Sequence, residues 1–127
     1  MVAYSFQKQF APRILDGTKR QTVRARGKRR HAQPGEALQL YTGMRTRHCR
    51  LIARATCWRV QPIAIRFLDG AFDRSMIIID GAPVLREAFA KADGFDSWAE
   101  LRAFWAKHHA GVDEFEGYCI SWHPLEG

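Results

Sequence analysis

Residues 50–60, RLIARATCWRV, alternate along their whole length: Leu51, Ala53, Ala55 and Cys57 fall on one side, Ile52, Arg54, Thr56 and Trp58 on the other. Side chains of an extended chain point to opposite faces in turn, so this period predicts a long, twisted strand. Such a strand needs partners, and the flanking sequence supplies them. QTVRA (21–25), EALQLYT (36–42), AIRFL (64–68), MIIID (76–80) and GYCISW (117–122) all read as strands. Turn signals stand at Asp69-Gly70 and at Pro34-Gly35, the latter inside a polar loop over 27–36.

Elsewhere the period is helical. FAPRILDG (10–17) reads as a short helix, with Pro12 in its first turn and Gly17 as a left-handed cap. In VLREAFAKA (84–92), Val84, Leu85, Ala88, Phe89 and Ala92 share one stripe. SWAELRAFWAKHH (97–109) opens on a Ser97/Glu100 capping box, in which each side chain satisfies an amide of the other. Trp98, Leu101, Phe104 and Trp105 then recur at helical spacing, which predicts core. Strands in front, two helices and a closing strand make an α+β fold, expected as a small closed β-barrel with helices against it.

A chain of 127 residues suits one domain, 1–127, with one core, and a monomer is expected. Hydrophobic residues at 46% and charged residues at 26% exclude a disordered composition. The longest aliphatic run, Met76–Ile79, has four residues, against the ~20 that span a bilayer. The first ten residues lack the basic start and apolar block of a secretory signal, so a cytoplasmic protein with no membrane partner is expected. Cys49, Cys57 and Cys119 are scattered, form no C-x-x-C pair and are predicted to be free, buried thiols.

The histidines, His31, His48, His108, His109 and His123, match no zinc spacing, and neither a P-loop nor G-x-S-x-G occurs. No metal or cofactor is therefore expected. His108-His109 falls near a helix end, where positive charge is favourable.

Charge divides the chain. Residues 1–60 hold 14 Lys/Arg against two acids, a net +12, whereas residues 61–127 carry a net −5. The asymmetry predicts a polyanionic partner for the first half. Its densest part is GTKRQTVRARGKRR (17–30). If 21–25 is extended, Thr22 and Arg24 share a face, and Lys19 sits at the turn before them. An amine, a hydroxyl and a guanidinium then converge on one small volume. Arg20, Arg26, Lys28, Arg29 and Arg30 are candidates to grip phosphates around it, and Arg45, in a connection after Gly43, to reach an anionic ligand. Tyr41, Trp58 and Trp122 are candidates to stack on a base.

Ile14-Leu15-Asp16-Gly17-Thr18-Lys19 followed by Thr22-Val23-Arg24 resembles the ASCH family, whose domains share the PUA-like β-barrel. The likeness continues through Pro34-Gly35-Glu36, LQLYTGMRT (38–46), ADGF (92–95) and the closing strand ending in Trp122, nearly the whole chain. LYTGMRT with the downstream DGF looks most like a compact branch found in bacteria and phages. By resemblance to the N(4)-acetylcytidine amidohydrolases of that family, Lys19 matches a proton-accepting lysine and Thr22 a nucleophilic threonine. The family's proton-donating glutamate falls near Asp93, whose carboxyl stands back by one methylene, about 1.5 Å.

The chemistry so implied needs a lysine with a lowered pKa. Burial and repulsion from Arg20 and Arg24 would lower it, a threonine hydroxyl would be activated by the resulting amine, and a protonated Asp93 would serve the departing amine. Three functions follow: RNA or nucleotide binding in the barrel cleft, preferred because of the charge; an amidohydrolase on acylated cytidine-like nucleosides; and a metal-independent ribonuclease in which Lys19 stabilises the phosphorus centre. The ligand expected is RNA, a nucleotide or a nucleoside.

Overall fold

The computed structural model describes residues 1–125. Its strands are β1 (Val2–Phe6), β2 (Gln21–Ala25), β3 (Ala37–Thr42), β4 (Arg50–Arg66), β5 (Met76–Ile79), β6 (Ala82–Val84) and β7 (Glu114–Trp122). A 3-10 turn over Lys8–Phe10 runs into helix α1 (Ala11–Leu15), and α2 (Arg86–Ala92) and α3 (Trp98–His108) precede β7. The fold is α+β.

β4 organises the sheet. Its first part pairs antiparallel with β3, which lies parallel to β1. Its second part pairs antiparallel with β5 on one side and β7 on the other; β7 pairs in turn with β2, and β6 continues from β5. The two stretches that read as separate strands at 50–60 and 64–68 are one strand. Pro62 lies within it opposite Tyr118, without ending it.

A register shift between Cys57 and Arg59 leaves Trp58 as the extra residue, because Cys57 faces Trp122 while Arg59 faces Ser121. Directly opposed residues share a face, so the bulge moves the alternation by one. Before it, Cys57 and Trp122 point into the space where Phe6 meets Trp122 edge-on at 6.2 Å. Beyond it, Ile65 stands opposite Phe115, which packs against Trp105 of α3 at 5.0 Å. One strand thereby contributes to packing on both faces of the sheet. Ile65, Leu101 and Ile120 are fully buried, each contributing about 1.5–3 kcal/mol of transfer free energy.

The expected closed barrel does not form. No ladder joins β1 to β2 among the described residues, and the gap between these edges is crossed by a side chain: Arg24 Nη2 donates to Ser5 O at 2.6 Å. The open seam becomes the wall of a cleft.

α1 ends as read, with Gly17 at φ +85°. Other expectations need correction. Val84 belongs to β6, Leu85 is 78% exposed, and Ala88 also faces solvent, so α2 buries only Phe89 and Ala90. The Ser97 box is one-sided. Ser97 Oγ accepts from Glu100 N at 3.2 Å, while Trp98 N donates to Glu87 of α2. Cys49 is exposed, unlike Cys57 and Cys119.

The loop between β4 and β5 is held by Asp73. Its carboxylate accepts from Ser75 N (2.8 Å), from Trp98 Nε1 (2.7 Å) and from Arg86 (3.2 Å), with Arg102 Nη1 at 2.7 Å. Burial opposes ionisation there, but the Ser75 and Arg102 bonds outweigh it and hold the carboxyl far below the usual range. Among the described residues no helix is long and apolar enough to cross a membrane.

Candidate functional site

Lys19 is fixed by its backbone before its side chain does anything. Its N–H donates to Arg13 O at 2.9 Å, Arg20 N donates to Ala92 O at 2.9 Å, and Trp122 N donates to Arg20 O at 3.1 Å. The segment after Gly17 is thus clamped between α1, α2 and β7. The Lys19 stem passes directly over Gly94, where a Cβ would lie 2.9 Å from Lys19 Cδ and φ is +97°. Only glycine gives both the conformation and the room.

The amine ends in an unusual environment. Lys19 is 3% exposed, and its Nζ donates to Asp93 O at 2.6 Å, with Asp93 Oδ1 at 3.6 Å. The ring of Phe10 lies 4.7 Å away and that of Phe6 5.6 Å. Burial drives the Lys19 pKa down; repulsion by Arg24 adds to this, and attraction to Asp93 opposes it without winning. Burial drives Asp93 up, against Lys19 and a 3.5 Å bond from Gln21 Nε2. Both groups are pushed toward their neutral forms.

Thr22 and Arg24 lie two residues apart on β2, opposite Ile120 and Tyr118 of β7. Arg24 Nε donates to Thr22 Oγ1 at 3.0 Å, and the guanidinium lies 5.1–5.2 Å from the rings of Phe6 and Tyr4. No carboxylate reaches ion-pair distance of Arg24 among the described residues. Burial lowers its pKa, yet an arginine stays protonated.

Lys19, Thr22, Arg24 and Asp93 line one cleft of about 890 Å³, in the range of ligand sites. Phe10, Phe95, Phe104 and Trp105 give its aromatic walls. His108 and His109 also border it, so they do more than end a helix. Their rings rest on Phe104 (4.3 Å) and Trp105 (4.6 Å), each one helical turn back. The signal for this lies in that i, i+4 pairing of aromatic and imidazole. Burial, then neighbouring His108, keeps the His109 pKa low.

The other sequence candidates lie elsewhere. Arg20 is exposed on a groove with Arg13 and Lys91, so it does not repel Lys19 as expected. Arg26, Arg29 and Arg30 line a separate cavity of about 420 Å³ with His31 and Tyr118, and Arg30 is paired with Glu36. Lys28 is exposed in the same loop. Arg45 is exposed in a turn at φ +67° and is not part of the cleft lining. Tyr41 is half-buried, with its hydroxyl donating to Gln39 Oε1 at 3.0 Å. Trp122 is buried and has no free ring face for a base, whereas Trp58 is 48% exposed.

Among the described residues, no group of three or more His, Cys, Asp or Glu converges on a metal-sized site. No protein-family model, curated protein or solved structure matches this chain.

Proposed function

We propose that this chain is an ASCH-like domain that binds RNA or a nucleotide in the cleft. The carrying observation is Arg24, a half-buried guanidinium facing a cleft with no carboxylate partner among the described residues. A desolvated cation is costly without a counter-ion, and an anionic ligand would supply one. The cleft's other walls are aromatic, which suits the flat, apolar face of a base. Phosphate at Arg24 and a ring against the half-buried Phe104 fit the two ends. The Gly17-x-Lys19 turn and the Thr22-x-Arg24 strand, which carry the family resemblance, both contribute to it. The test is titration of cytidine monophosphate and a short RNA into the wild type and Arg24→Gln. Binding should weaken at least about tenfold in the variant, the scale of one missing charge-assisted bond. Equal affinity would sink the reading.

One observation favours the hydrolase alternative: a buried amine with lowered pKa beside a carboxyl with raised pKa is what an acid–base pair requires. In that reaction the Lys19 amine takes the Thr22 proton, and Thr22 Oγ1 attacks the acetyl carbonyl. Asp93 protonates the departing amine, and water then releases acetate from threonine. Lys19 Nζ must turn from Asp93 O toward Thr22 Oγ1, which at rest accepts from Arg24. Incubation with N(4)-acetylcytidine should release cytidine with the wild type and none with Thr22→Val. No release at high protein concentration removes this reading. RNA added to the same assay tests ribonuclease action.

A further inference from the structure

Trp98, Trp105 and Trp122 are 4–8% exposed, whereas Trp58 is 48% exposed. Its position is built in. It is the extra residue of the β4 bulge, and bulges re-aim side chains out of the ladder. The Arg59 guanidinium lies 3.9 Å from its ring centroid, and the His123 ring stands 6.2 Å away. On the same strand Arg54 and Thr56 are exposed, alternating with buried Ala55 and Cys57, so they share the outer face with Trp58. Arg54 stands opposite Gln39 and Thr56 opposite Ala37 on β3.

Residues 37–68 contain six arginines and no acid. Among the described residues, none of Arg45, Arg47, Arg50, Arg54 and Arg59 reaches a carboxylate at ion-pair distance. An exposed ring on a rigid strand, flanked by unpaired guanidiniums, is the composition that holds unpaired nucleotides: bases stack, phosphates pair, and the binding tolerates sequence. A duplex keeps its base faces inside its own stack and offers the ring little. We propose that the outer face of β3 and the bulged part of β4 is a second binding surface for single-stranded RNA. In it Trp58 is the stacking platform, and Arg54 and Arg59 hold phosphates. This deepens the RNA reading of the cleft and rests on it for the ligand class, but uses none of its residues.

Trp58 is itself the probe. A twelve-residue oligouridine titrated at low salt should quench tryptophan emission, and Trp58→Ala should remove the larger part of that quenching and weaken affinity about tenfold, the scale of one stacked base. Trp58→Phe should keep most of the affinity. Arg54→Ala with Arg59→Ala should make the log–log salt slope shallower by about 0.7 for each phosphate no longer neutralised. Circular dichroism checks that each variant folds. Oligouridine binding to Trp58→Ala with wild-type affinity overturns the proposal. So does stronger binding of a blunt duplex than of the single strand. Quenching by anionic vesicles or by an acidic protein, without quenching by oligouridine, overturns it as well.

The two RNA readings separate cleanly. Oligouridine that still quenches Trp58 in Arg24→Gln, when cytidine monophosphate binds that variant as it binds the wild type, supports the platform while the cleft reading fails. Cytidine monophosphate binding abolished in Arg24→Gln, with oligouridine indifferent to Trp58→Ala, leaves the cleft and sinks the platform.

Discussion

Asp73 and Asp93 carry the same side chain in opposite surroundings. Asp73 sits at the edge of the molecule and receives Ser75 N, Trp98 Nε1, Arg86 and Arg102. Asp93 is buried with only a long bond from Gln21 and an amine at 3.6 Å whose shortest approach is to the carbonyl instead. The first carboxyl is held far down and the second is pushed up. A fully served carboxylate ties a loop to two helices and has nothing left to offer a ligand. An underserved one, beside an underserved amine and a guanidinium with no carboxylate at ion-pair distance among the described residues, keeps its chemistry available.

The comparison breaks most sharply at Gly94. Gly94→Ala forces a Cβ into the Lys19 stem at an unfavourable positive φ. We expect a loss of about 2–3 kcal/mol in urea unfolding together with weakened cleft binding. A change below about 0.5 kcal/mol would show that the Lys19 stem is not held there. Next comes Asp73→Ala, expected to cost about 2 kcal/mol because several donors lose one acceptor. Cleft affinity should not change.

Asp93→Asn should cost under about 1 kcal/mol at neutral pH, since the amide keeps the shape of the carboxyl without the charge that burial opposes, and the Lys19 bond to the main chain survives. The two sites also titrate with opposite sign. The stability that Asp73 adds is present above the unfolded value of about 3.9 and is lost as pH falls through its depressed folded value. For Asp93 the contribution is full below about 3.9 and is lost as pH rises through its elevated folded value. Urea titrations of both Asn variants from acid to neutral pH should therefore diverge from the wild type in opposite directions.

The smallest effect is on a thiol. Cys119 is pushed up to about 12, chiefly by burial and then by Asp93, while Cys49 is exposed. Iodoacetamide at about pH 8, near the free-thiol range, should label Cys49 and spare Cys119. As pH rises from about 8.5, the unfolded Cys value, the unfolded chain ionises first and native stability falls. Cys119→Ala should flatten that alkaline decline.

What is readable in the sequence is local. β2 spans the predicted 21–25, α1 keeps its proline start and glycine end, and the aromatic stripe of α3 is largely core. Lys19, Thr22, Arg24 and Asp93 do meet in one cleft, because β2 alternation and the clamped turn are short-range effects. What fails is long-range. β1 is not legible although Tyr4 and Phe6 alternate as buried residues, since a strand of five at the chain start carries little pattern of its own. Barrel closure depends on an edge pairing that a guanidinium replaces. The charged run has the look of one grip but is dispersed by the turn of the chain after Ala25, which sends Arg26, Arg29 and Arg30 to another cavity. His108 and His109 read as helix-end charges, since only packing reveals which way a helix terminus faces.

The shared strand β4 makes the molecule indivisible. Because its two ends answer to different packing partners across the bulge, neither layer can melt without pulling on the other. Amide exchange near Cys57 and near Ile65 should therefore proceed through a single common opening, and a cut inside this strand would leave no half able to stand alone.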